Sequence, residues 1–190
     1  MSLLHDSSLS VMAAMHSPAS GGGPPAPASW QRVNFRMQIQ EQTNWCWCAT
    51  ALSVRYYFVP TSSMTQCEAA NQILQRTDAC ATPGRAEVNK PWYLDDALDR
   101  LGHLGQPIIT SPLPWSQLKS EIAAQRPVGC RTGWAGGGGH FMCIDGYLDG
   151  STPMVAVDDP IYGPSDVTLA AFTGSYQGSG TWTHSYKVKA

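Results

Sequence analysis

The sequence predicts an α+β domain of two unlike lobes, a helical N-terminal lobe and an antiparallel β lobe after it, with a cleft between. Three features point there. Helix-type patterns are confined to roughly residues 40 to 125, and β-rich runs to roughly 127 to 190. Ahead of both lies Ser17-Pro-Ala-Ser-Gly-Gly-Gly-Pro-Pro-Ala-Pro-Ala-Ser29, almost wholly Pro, Gly, Ala and Ser. Such a stretch cannot bury enough surface to repay its ordering. Residues 1–29 therefore read as a disordered tail and 30–190 as one folded domain, opening at Trp30.

The first predicted helix runs from Cys46 through Tyr57 with Asn44 as its N-cap. Others cover Met64–Leu74, Tyr93–Leu101 and Trp115–Ala124, the last two preceded by Pro91 and Pro114, where proline is tolerated. Strands are expected at Pro127–Thr132, His140–Tyr147, Met154–Asp158 and Thr181–Val188.

Composition narrows the function. With 43% hydrophobic residues the chain can build a sizeable core, and a net charge of -2 gives no electrostatic reason to expect nucleic acid or an anionic membrane as partner. No apolar run approaches the roughly 20 residues that span a bilayer. The start, MSLLHDSSLSVMAAMHS, has no Lys or Arg ahead of its apolar residues, so a cleavable secretory signal is not expected. The six cysteines are too sparse for a disulfide scaffold, and they form no paired Cys-x-x-Cys zinc pattern. Cys67 and Cys80 could pair, but their spacing does not decide it.

Chemistry concentrates in three places. In Gln40-Glu-Gln-Thr-Asn-Trp-Cys46-Trp-Cys, a cap at Asn44 puts Cys46 in the first turn of a helix. There free N–H groups and the positive end of the helix dipole favour a reactive thiolate and can hold an oxyanion. Gln40, six residues upstream, can supply a side-chain amide as second oxyanion donor. Taken alone, a buried and inert thiol among tryptophans explains Cys46 equally well.

The second place is His140, which follows the glycine run Gly136–Gly139 and opens an apolar strand. A lone histidine is more often structural, but a loop nearly free of side chains lets a substrate backbone approach. The third is Asp158-Asp159-Pro160. A hairpin turning at Asp149-Gly150 sets His140 across from about residue 159. A carboxylate there can orient the imidazole and steady its charged form. Asp158 is the fallback for Asp159, and an Asp pair before proline can also be a mere turn cap. Cys46, Cys48, His140 and Cys143 could instead be read as zinc ligands, but Cys-x-Cys is tighter than the usual spacer, and on a helix Cys48 points away from Cys46.

Gln40, Cys46-Trp47, a late His140 and an Asp, in that order, resemble the papain superfamily. The nearer resemblance is to bacterial papain-like cysteine peptidases of the avirulence-effector (AvrRpt-like) type. It is carried by Gln-x-Gln-Thr-Asn-Trp-Cys-Trp, Thr65–Asn71, Arg126-Pro-Val128, Gly139-His-Phe, Asp-Pro and Gly180–Tyr186, and spans about residues 35 to 190.

The resemblance implies a papain-like two-lobed fold with Cys46 as nucleophile, His140 as general base, Asp159 as orienting carboxylate and Gln40 in the oxyanion hole. It implies hydrolysis of specific protein substrates in a target cell through a thioester, with no metal or organic cofactor. It also implies an effector or toxin, released by a specialised system and acting in the target-cell cytoplasm, with a cognate inhibitor or immunity protein as a further partner. Cys48 departs from the family, which usually has a small residue there, and residues 1–35 show no clear self-cleavage motif. The same residues could run deamidation or acyl transfer, and a binding module without catalysis is the third reading.

Overall fold

A computed structural model describes residues 29–190. The expected tail, residues 1–29, lies outside the described residues except for its last one. The elements are β1 (Trp30–Arg32), α1 (Cys46–Phe58), α2 (Gln66–Leu74), α3 (Leu94–Arg100), α4 (Trp115–Ala123), β2 (Val128–Trp134), β3 (Gly139–Leu148), β4 (Met154–Asp158), β5 (Ser165–Thr168), α5 (Leu169–Ser175) and β6 (Gly180–Lys187).

The α+β class holds, with α1 to α4 ahead of β2 to β6, but β1 precedes the helices and α5 lies between β5 and β6. The four helices and four strands read from the sequence are present, with ends moved by a few residues. The sequence reading lacked β1, β5 and α5, each too short to show a period. All strand pairs are antiparallel, in the order β5-β4-β3-β2-β6, and β1 adds to β3 through Trp30↔Leu148 and Arg32↔Gly146.

α1 is the axis of the helical lobe. Every residue from Trp47 to Val54 is buried, so this helix is surrounded rather than laid on a surface. Its small residues Ala49, Ala51 and Ser53 let neighbours come close, and Ser53 Oγ accepts from Gln38 N at 2.8 Å while donating to Ala49 O at 2.6 Å. α2 begins with a capping box. Thr65 Oγ1 accepts from Glu68 N at 3.3 Å, and Glu68 returns a carboxylate oxygen to Thr65 N at 2.8 Å. Cys67 in its first turn is joined to Cys80 by a disulfide, which settles the pairing that sequence left open. Asp96 in α3 accepts from Arg100 one turn on at 2.8 Å and from Trp92 Nε1 at 2.7 Å.

Removing the cap hydroxyl of α2 takes a partner from the helix start without touching the core. Thr65→Ala is expected to cost about 1 kcal/mol in urea unfolding, with an unchanged m-value.

Candidate active site

The site is built where the start of α1 meets the start of β3. Cys46 is the first residue of α1, so its N–H has no partner one turn back. The N-cap is Trp45 rather than the expected Asn44. Asn44 is instead fastened to the segment 88–90: its N–H donates to Asn89 Oδ1 at 2.9 Å and its side-chain amide to Asn89 O at 3.1 Å. Asn89 Nδ2 reaches Thr43 Oγ1 at 2.9 Å. The flanking indoles complete the clamp, Trp45 Nε1 to Val88 O and Trp47 Nε1 to Lys90 O, each at 3.0 Å. Sequence reasoning missed this segment, because nothing in the residues around 89 marks them as neighbours of residue 44.

Cys46 is half-buried, while the other free cysteines, Cys48, Cys130 and Cys143, are fully buried. Burial pushes all three of those thiols well above the ordinary thiol range. They stay protonated and unreactive. Cys48 turns into the core and donates to Gln66 O at 3.3 Å. The four residues of the zinc alternative are thus not drawn to one centre; among the described residues no group of three or more His, Cys, Asp and Glu is placed to hold a metal.

His140, second in β3, pairs with Thr132 of β2 and faces Cys46 across a cleft of about 210 Å³ lined also by Thr43, Trp134, Ile161 and Tyr162. Its Nε2 donates to Asp159 Oδ1 at 2.8 Å, leaving Nδ1 as the free ring nitrogen. The ring is 4% exposed, stacked on Trp134 with centroids 6.1 Å apart and met edge-on by Tyr162. Burial lowers the affinity of His140 for a proton. Its hydrogen bonds to Asp159 and Cys46, with the charges of both, outweigh burial and raise the imidazole to about 9.

Asp159 has none of its side chain exposed. Oδ1 also accepts from Ile161 N at 2.7 Å and Tyr162 N at 3.0 Å, and Oδ2 from Tyr176 Oη at 2.9 Å. Burial opposes the charge, but the bond to His140, its cation and the Tyr162 and Ile161 N–H groups hold the carboxyl below its usual range. Asp158, the fallback residue, faces away and accepts from Met37 N at 2.7 Å.

Gln40 lies beside this cleft but is turned from it. Its amide nitrogen donates to Gln42 O at 2.8 Å and Thr43 O at 3.0 Å, and its buried Oε1 has no partner.

The route by which Asp159 reaches His140 differs from the expected one. The predicted turn at Asp149-Gly150 is a longer link, 149–153, and a bulge falls between Ile144 and Gly146. The ladder ends at Cys143↔Asp158, and three more steps on each strand would set His140 against residue 161. The chain turns out of register instead, with Gly163 N bonded to Asp159 O at 2.9 Å, and this turn swings Asp159 onto the ring.

A family model, described as the papain-like cysteine protease AvrRpt2, matches residues 27–177. The chain belongs to that family. The helical lobe, the antiparallel sheet and the cleft between them are its papain-like fold, and the family is one of cysteine peptidases. No curated protein matches the chain. One solved structure, that of the Pseudomonas avirulence protein AvrPphB, aligns with 13% identity and a TM-score of 0.36, covering 82% of this chain and 98% of that one. A likeness so weak carries no argument about this family member.

A raised imidazole has a definite pH signature. His140 contributes stability that is fully present below its unfolded value of 6.5 and is lost as pH rises through about 9. Nitrogen-15 NMR should find the ring still protonated at pH 8, and unfolding free energy should fall across that window, with the slope flattened in His140→Gln. A ring midpoint near its ordinary value would contradict the geometry.

Proposed function

We propose that this chain is a cysteine endopeptidase that cleaves specific proteins inside another cell, with Cys46, His140 and Asp159 as its triad. The observation that carries this is the His140 Nε2–Asp159 Oδ1 bond of 2.8 Å, made on the far side of a ring that faces Cys46 across the cleft. A base whose outer nitrogen is held by a buried carboxylate presents its inner nitrogen in one orientation and one tautomer.

In the reaction, the proton of Cys46 Sγ rests on His140 Nδ1 from the start, as the raised imidazole requires, and the sulfur of this ion pair attacks the peptide carbonyl. The negative oxygen that forms lies at the start of α1, where the Cys46 N–H can donate. Gln40 joins as second donor once its amide leaves the Gln42 and Thr43 carbonyls. Collapse of the intermediate breaks the C–N bond, and His140 hands the proton to the departing amine. Water then attacks the thioester, losing its proton to His140, and frees the acid and the thiol.

A polypeptide substrate is supported by where the surface is apolar. The large hydrophobics left most exposed among the described residues are Ile39, Tyr93, Ile161 and Tyr162. Ile161 and Tyr162 line the cleft, and Tyr93 lines an adjoining groove of about 880 Å³. Ile39 precedes Gln40, whose N–H is bonded to Pro160 O at 3.0 Å. Exposed apolar side chains gathered at a cleft mark a binding surface rather than chance. Delivery by a specialised system into the cytoplasm of another cell, with a cognate inhibitor as partner, follows what the family resemblance implies. No metal or cofactor enters the steps.

Cys46→Ala and His140→Ala should each keep the fold and lower turnover on the order of 10⁴-fold or more. The substrate is sought by mapping new protein N-termini in target-cell extracts treated with wild type and with Cys46→Ala. Termini that appear with wild type alone support cleavage. A target that stays intact but gains about one mass unit would mark a deamidase instead, and turnover in folded Cys46→Ala would sink the assignment.

A further inference from the structure

The orienting carboxylate is itself oriented, by a residue outside the triad. Tyr176 follows α5 directly and is 2% exposed. Its main chain is fastened both ways to Gly180, N to O at 2.9 Å and O to N at 2.8 Å, where β6 begins. Its ring packs edge-on against Phe172 at 5.2 Å between centroids. The phenol thus has little freedom, and it donates to Asp159 Oδ2 at 2.9 Å. Oδ1 is already occupied by His140 Nε2 and the N–H groups of Ile161 and Tyr162, so Tyr176 holds the one carboxylate oxygen those three do not reach.

We infer that Tyr176 is a positioning residue for the proposed reaction, a fourth member of the chain Tyr176–Asp159–His140–Cys46 that keeps Asp159 ionised and in the plane His140 requires. The inference rests on the peptidase reading of the site. A carboxylate held by one oxygen can rotate about its bond to the chain; one held at both cannot. Burial, first, and the nearby Asp159 charge push the Tyr176 hydroxyl well above the ordinary phenol range. The proton therefore stays on Tyr176, which stands toward Asp159 as the donor. The other titratable groups around Asp159 are His140 on β3, with Cys46 of α1 beyond it, and the adjacent Asp158, whose Oδ2 is turned to Met37 N.

Tyr176→Phe tests this, because it keeps the ring that packs on Phe172 and removes the hydroxyl alone. Losing one donor from a buried charge should lower kcat/KM roughly tenfold with KM little changed. It should also raise the midpoint of the Asp159 carboxyl, read by carbon-13 NMR, by about half a pH unit or more, and move the acid limb of the rate profile the same way. In an Asp159→Asn background the same change should cost less than about twofold, since Tyr176 acts through that carboxylate. A variant that loses stability and rate while the Asp159 midpoint and acid limb stay put, or whose losses simply add in the double variant, overturns the proposal. If wild type cleaves no peptide, the peptidase reading fails on its own. The carboxyl titration then decides alone: an upward shift supports the Tyr176 contact and no shift ends it.

Discussion

A carboxylate with no exposed surface can stay charged only where donors replace the water it has lost. Asp159 meets that condition with four, drawn from three parts of the chain: the ring of His140 in β3, two N–H groups of the turn after β4, and the phenol after α5. Each part is placed to supply its donor. β3 starts just before His140, the 160–163 turn leaves the ladder to fold back on Asp159, and Gly180 pins the main chain of Tyr176. At Gly180 a Cβ would lie 2.2 Å from Thr132 Cγ2 and 2.9 Å from Tyr176 O, so only glycine permits that closeness. Much of the β lobe's irregular detail follows from surrounding one charge.

The helical lobe solves a different problem, that of holding a thiol at a helix start in half-open surroundings. The start of α1 carries no side-chain cap, which is unusual for a helix so buried. Its order comes from the segment 88–90, whose carbonyls and amide bind Asn44 and both indoles. Asn44 leaves the cap position because Asn89 offers it two bonds. The segment leading into α1 is stitched to the end of β4 by two neighbouring bonds, Gln40 N to Pro160 O and Met37 N to Asp158 Oδ2. The distance between Cys46 and His140 thus depends on contacts that belong to neither.

How much was legible follows from how local each signal is. Cys46 at a helix start and His140 at a strand start are encoded within a few residues, and the sequence reading places both there. Hairpin counting points only to about residue 159, and the real connection is longer and bulged, so continuing the ladder would set residue 161 against His140; what selects Asp159 over Asp158 is its place directly before Pro160, together with the family resemblance. Asn89 and Tyr176 carry no local mark. Their roles exist only once residues 45 and 17 positions apart along the chain are folded together, as the bonds to Asn44 and Asp159 show. The state of Gln40 was equally hidden, since spacing sets where a side chain is rooted and not which of its neighbours the amide selects.

The glycine run ahead of His140 shows the same limit from the other side. Sequence offered one reason for it, an open floor for a substrate backbone. Gly137 and Gly138 have φ of +92° and +80°, which side chains rarely adopt, while a Cβ on Gly136 would meet nothing. Gly139 is constrained differently. A Cβ there would lie 2.5 to 2.7 Å from the Arg131 guanidinium, which bonds Gly138 O at 3.1 Å and Thr183 Oγ1 at 3.0 Å. Arg131 therefore ties the loop down from below, at the residue before His140, and a bulkier residue at 139 would push the cation off both partners. Flatness at the cleft and anchoring beneath it ask for the same residue type, so one run of glycines satisfies two demands that no pattern in the sequence could separate.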